Sequence, residues 1–85
     1  MVGLIEFLAH NLVDEPESVE VRPIRDDRYA TVVGLRVAES DLGKVIGRQG
    51  RVARAMRTLM RASAVIQGKR HIGLEIDEHT QEPEP

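Results

Sequence analysis

Two glycines three apart, Gly47 and Gly50, bracket the long polar pair Arg48-Gln49 directly after the apolar pair Val45-Ile46. Glycine accepts left-handed backbone and lets a chain approach a ligand closely, so this spacing makes a tight turn with a polar tip. The segment that follows carries Arg51, Arg54, Arg57 and Arg61 at helical spacing. A helix beginning there aims its free N–H groups and positive dipole end at the turn, a setting that favours phosphate. The spacing also excludes the commoner phosphate loops. Gly43-Lys44 is followed by Val45 and has Ala38 where a P-loop needs its first glycine, and Val45 stands where a dinucleotide fingerprint needs one.

Charge is segregated around this turn. Residues 1–41 carry nine acids and four bases, residues 42–74 carry eight bases and no acid, and residues 75–85 carry five acids and no base. The net charge of −2 therefore hides a basic block that coincides with the glycine turn. A basic block of this kind is an electrostatic footprint for a polyanion. Only Phe7 and Tyr29 are aromatic, so base-stacking platforms of the RRM or OB type cannot be built.

Other chemistries find little support. His10, His71 and His79 fall on three different elements with no metal-ligand spacing, and cysteine is absent. Neither a Ser/His/Asp set nor paired carboxylates converge on the turn, so no enzyme, cofactor, metal or small-molecule substrate is expected. No apolar run approaches the ~18 residues of a membrane span. Glu6 interrupts the apolar start and no basic n-region precedes it, so a signal peptide is not expected and a cytoplasmic location is.

The elements that must position the turn can be read from periodicity. Eighty-five residues with 41% hydrophobic and 31% charged content make one small globular domain. Leu4, Ile5, Leu8 and Leu12 form a helical stripe over 2–13, ended by Pro16. From Ser18 the period becomes two, with Val19 and Val21 inward until Pro23 breaks the run, which marks an edge strand or a bulge. Asp26-Asp27 is a turn, and 29–37 is a second strand with Tyr29, Thr31, Val33, Leu35 and Val37 on one face. Ser40 is expected to cap a short helix over 41–46. A long helix over 51–66 places Val52, Met56, Leu59, Met60, Ser63 and Ile66 on one arc and its arginines opposite. Gly68 suits the left-handed residue that closes it. A last strand over 71–77 turns Ile72, Leu74 and Ile76 inward. Residues 1–77 thus form one domain, and 78–85 an acidic tail without apolar residues, expected to be disordered. The order α-β-β-α-α-β, with alternating strands, predicts an α+β fold whose sheet carries helices on one face and water on the other.

The run Val45-Ile46-Gly47-Arg48-Gln49-Gly50-Arg51-Val52-Ala53 between two helices resembles the glycine loop of the K-homology (KH) domain, in its bacterial, type II arrangement. With Phe7-Leu8 and Leu12-Val13-Asp14 before Pro16, the resemblance covers about residues 2–77 and extends to the small free-standing bacterial KH proteins of the KhpA family. It implies a three-stranded mixed sheet. It also implies single-stranded RNA held by its backbone over about four nucleotides, as in an RNA chaperone or post-transcriptional regulator. The implied site is Lys44, Val45, Ile46, Gly47, Arg48, Gln49, Gly50, Arg51, Val52 and Arg54, with aliphatic groove walls and weak base reading from the edge of the last strand. Ala53, where many KH domains carry a larger aliphatic residue, implies a shallow groove. Arg57 and Arg61 either extend the site or clothe an exposed helix face. The resemblance also implies a homodimer, or a heterodimer with a KH protein of the Jag (KhpB) type. On that alternative reading the chain is a dimerising adaptor with RNA contact secondary. The apolar arc of 51–66 is about 140° wide, more than one sheet face needs, and makes Leu59 the candidate partner contact.

Overall fold

The computed structural model describes residues 1–79. Helix α1 (Val2–Leu12) leads through a 3₁₀ turn into β1 (Glu20–Asp26) and β2 (Ala30–Arg36). Helix α2 (Leu42–Ile46), a 3₁₀ turn at Arg48–Gly50, helix α3 (Arg51–Gln67) and β3 (His71–Ile76) follow. The sheet order is β1-β2-β3, with β1 antiparallel and β3 parallel to β2. This is the expected α+β mixed sheet.

Alternation places Val33 and Leu35 of β2 beside Leu74 and Ile76 of β3 on one face. Against that face pack Ile5 and Ala9 from α1, Val45 from α2, and Met56 and Met60 from α3. Burying these apolar side chains is what holds three helices to three strands. Pro23 sits on an edge strand and the register shifts between Pro23 and Arg25. A residue without an N–H donor is accommodated there because one side of β1 has no partner. The strand nevertheless continues through Pro23 to Asp26, where periodicity alone would have stopped it.

Three other expectations need correction. Strand β2 does not alternate cleanly, since Ala30 and Gly34 are buried as well. As the central strand it is covered from both neighbours, and Ile24 and Arg22 fold over Gly34. Tyr29 lies outside the strand and is exposed. The buried stripe of α3 is Ala53, Met56, Met60 and Ala64, rotated from the expected arc so that Leu59 and Ile66 fall outside it. Counting apolar residues pulled the arc toward the larger side chains, whereas close packing on the sheet selected the small ones. Gly68 closes α3 at φ +76, its N–H bonded to Val65 O, as its position implied. Of the acidic tail, residues 80–85 lie outside the described residues, while His79 is held by a 2.6 Å hydrogen bond between Nε2 and Val37 O.

Candidate nucleic-acid interface

The glycine turn is fixed from both sides. Val45, two residues before it, and Ala53, three residues after it, are both buried in the core. Between them the backbone takes left-handed φ at Gly47 (+78), Gln49 (+57) and Gly50 (+74). At Gly47 a side chain is excluded twice over. Its φ/ψ of 78/170 is open essentially to glycine alone, and a Cβ would stand 2.5 Å from Val52 Cγ2 and 2.8 Å from Val52 N. Gly50 needs only the left-handed angle, since nothing lies within 4 Å of its would-be Cβ. The first glycine therefore sets the approach of α3, and the second reverses the chain into it.

Arg48 and Gln49 stand exposed at the tip. Arg54, one turn into α3, donates from Nη2 to Gln49 O at 2.5 Å, so the helix itself holds the strained residue of the turn. Ile46 and Val52 are half-buried beside the turn, giving an aliphatic floor next to a cationic rim. The N-terminus of α3 begins at Arg51, directly beneath the tip. Backbone N–H groups, a helix dipole and free guanidinium groups converge there, which suits a phosphodiester backbone more than a compact metabolite.

Not every implied site residue arrives at this surface. Val45 is fully buried: it joins Ile5, Val33 and Met60 in the core cluster, so it supports the turn from beneath. Ala53, at the start of α3, is buried as well. Lys44 points away from the tip into a carboxylate pair, with Nζ 2.5 Å from Asp14 Oδ2 and 2.9 Å from Asp41 Oδ1. Those two hydrogen bonds, Asp14 foremost, push the Lys44 pKa above its ordinary value. The ammonium stays charged, but its charge is already matched.

Sequence reasoning missed Asp41. Its side chain is only 1% exposed, and its two oxygens accept from Asp14 N at 3.1 Å, Glu15 N at 3.0 Å and Lys44 Nζ. The Lys44 contact first, then the two backbone N–H groups, hold its carboxyl below the ordinary range. Asp41 thereby ties the exit of α1 to the start of α2. Ser40 is drawn off the expected cap and donates to Glu15 Oε2 instead. An acid three residues before the first lysine of a basic block was the available signal.

Arg57 does more than clothe an exposed helix face. It is half-buried, and Nη2 donates to Leu74 O at 3.0 Å, laying the basic side of α3 across the outer edge of β3. Leu59 and Ile66, on the opposite side of α3, are 46% and 88% exposed. Among the described residues no cluster of metal ligands occurs, and no helix is long and apolar enough to cross a membrane.

A family model described as "KhpA/KhpB, KH domain" matches residues 3–76. The chain belongs to the KhpA/KhpB KH-domain family. Among its relatives, the "RNA-binding protein KhpA" of Borreliella burgdorferi is 45% identical over 75 residues, covering 88% of this chain and 89% of the relative. The protein of the same name from Caldanaerobacter subterraneus subsp. tengcongensis is 46% identical over 72 residues, covering 85% and 95%. That from Treponema pallidum is 49% identical over 61 residues, covering 72% and 75%. No solved structure gives a significant match.

Proposed function

We propose that this protein binds single-stranded RNA, gripping the sugar-phosphate backbone at Gly47–Gly50 as an RNA chaperone or post-transcriptional regulator. The observation that carries this is the turn itself. It has three left-handed residues, a first glycine whose place a side chain takes only under strain, and a cationic tip that buries nothing in the fold. The relatives' shared name, RNA-binding protein KhpA, supports it. Arg48, Gln49, Arg51 and Arg54 contact phosphates, Gly47 and Gly50 allow the backbone approach, and Ile46 and Val52 receive bases. The activity requires no bond-making chemistry, and the protein acts by binding.

The test pairs affinity with stability. Replacing Arg48 and Gln49 together by Asp removes one favourable charge contact and adds two repulsive ones, costing about 2–4 kcal/mol of binding. RNA affinity measured by fluorescence anisotropy falls about 30- to 1,000-fold, while the melting temperature stays nearly unchanged because exposed substitutions move stability by only about 0.5 kcal/mol. Retained affinity puts the RNA elsewhere and ends this assignment.

A second role, pairing with a second copy or with a KH protein of the KhpB (Jag) type, is favoured by the exposed apolar side of α3 formed by Leu59 and Ile66. Leu59→Arg is expected to give a folded monomer by size-exclusion chromatography and circular dichroism. An unfolded product, or an unchanged oligomer, removes Leu59 from that role.

A further inference from the structure

A turn built on two glycines has little stiffness of its own, so its placement depends on how its two ends are held. On the α3 side Ala53 is buried and Arg54 grips Gln49 O. On the other side stands α2, five residues long. Val45 and half-buried Leu42 press α2 onto the core. Apolar burial has no direction, however, and leaves so short a rod free to swivel over the sheet. Its heading has to come from the N-terminal end, where Asp41 stands about 6 Å from Val45 at 1.5 Å per residue.

Hydrogen bonds supply that heading, because they are directional. Asp41 accepts from Asp14 N and Glu15 N, just past the end of α1, and from Lys44 Nζ on α2 itself. Lys44 Nζ also donates to Asp14 Oδ2, and Ser40 Oγ to Glu15 Oε2. These bonds cross between two segments 25 to 30 residues apart, so they fix one segment against the other instead of only shaping a local turn. With its side chain 1% exposed, Asp41 has no water to replace a lost partner, which stiffens the junction. Gly47 lies two residues past Val45. A swivel of α2 about Val45 therefore displaces the glycine turn.

We propose that Asp41 and Lys44 are positioning residues for RNA binding. Through their junction with Asp14 and Glu15 they fix the heading of α2, and with it the placement of the glycine turn against α3, without touching RNA. This role rests on RNA binding at the turn. It makes the exit of α1 part of the framework of a site that α1 does not line.

The test measures affinity for an unstructured RNA by anisotropy over a range of salt, at a temperature where circular dichroism shows each variant folded. Asp41→Asn leaves the turn in its binding geometry for about one tenth of the time, so affinity falls about tenfold. The log–log salt slope stays at the parent value, because the same phosphates are still met. Lys44→Gln leaves Asp41 its two N–H partners and lowers affinity about threefold, again at constant slope. Thr31→Ala is the control: it removes a buried hydroxyl bonded to Asp26 Oδ1 at the other end of β2, and destabilises the fold without changing affinity. Affinity within twofold of the parent in Asp41→Asn, or a fall that Thr31→Ala reproduces, overturns the positioning role. A slope lowered by ~0.7 in Lys44→Gln makes Lys44 a phosphate contact and overturns it too. Where Asp41→Asn does not fold, Lys44→Gln decides by the same split between affinity and slope. The turn assignment is judged separately by Arg48→Asp/Gln49→Asp: lost affinity there with retained affinity in Asp41→Asn removes the positioning role alone, and retained affinity there removes both.

Discussion

Lys44 and Arg48 lie four residues apart and carry the same charge, yet they stand in opposite electrostatic states, Lys44 reaching back to Asp41 at the N-terminal end of α2 and Arg48 standing in the turn after its C-terminal end. At the N-terminal end the charge is closed: Lys44, Asp41, Asp14 and two backbone N–H groups satisfy one another. At the C-terminal end Arg48 projects to solvent with no ion pair among the described residues. The difference teaches that a count of basic residues overstates a polyanion footprint, because some of that charge holds the fold together. What remains for a ligand is the unmatched part.

The open end is broken most severely through its geometry. Gly47→Ala forces a Cβ against Val52 and into a glycine-only backbone region, so it is expected to cost about 3 kcal/mol, the upper end of the range for such strain. That lowers the melting temperature by roughly 12–24 °C at about 4–8 °C per kcal/mol for a domain of this size. Gly50→Ala meets open space and pays only for the left-handed angle, about 1–2 kcal/mol. Thermal denaturation followed by circular dichroism ranks the two; equal losses would mean that the Val52 contact does not set the turn.

The closed end is next in size. Asp41→Asn keeps the shape but withdraws the charge that Lys44 and two N–H groups address, and is expected to lower the melting temperature by roughly 5–10 °C at neutral pH. The folded carboxyl of Asp41 titrates below the ordinary value of 3.8. Its contribution is thus complete above that value and fades as pH falls through the folded one. Asp27, held at about 2 by Arg25 and by the N–H groups of Tyr29 and Ala30, behaves in the same sense. The protein is expected to lose stability below about pH 4, and Asp41→Asn to flatten that loss. An acid limb of unchanged steepness in the variant would show that the clamp is not the group titrating.

The smallest effect separates the two cations directly. Arg48→Gln lowers the magnitude of the RNA salt slope by ~0.7, the value of one phosphate on a single strand. Lys44→Gln, at a charge already matched, leaves that slope within error of the parent. Equal slopes for the two variants would erase the distinction between closed and open charge.

Much of this was legible in the sequence because periodicity and glycine chemistry are local. The change from a period of 3.6 to a period of two located α1, β1, β2, α3 and β3, and the pair Gly47/Gly50 located the turn and its free tip. The rest depended on partners far away in sequence. Asp41 meets Asp14 and Glu15 across 27 and 26 residues, and no window of a single strand or helix contains that information. The same holds for Arg57, whose side chain is claimed by Leu74, and for the rotation of α3 that buries Ala53 and Ala64 while leaving Leu59 outside. Val45 was assigned to the ligand because it adjoins the loop. Its side chain is drawn instead into the core with Ile5, Val33 and Met60.

The parallel pairing of β2 with β3 sets when the groove between α3 and the outer edge of β3, spanned by the Arg57–Leu74 O bond, comes into existence. Ala30 finds its partner at His71, and Leu35 at Ile76, so closing the sheet draws together strands separated by both helices and the glycine turn. Contacts of such sequence separation are slow to form, since loop closure must precede any gain from them. A nascent chain lacking its last strand already displays the arginines of α3 but has no second wall to set opposite them. Completion of the fold and appearance of the α3–β3 groove are therefore one event. During synthesis, the strand added last turns a basic helix into a groove.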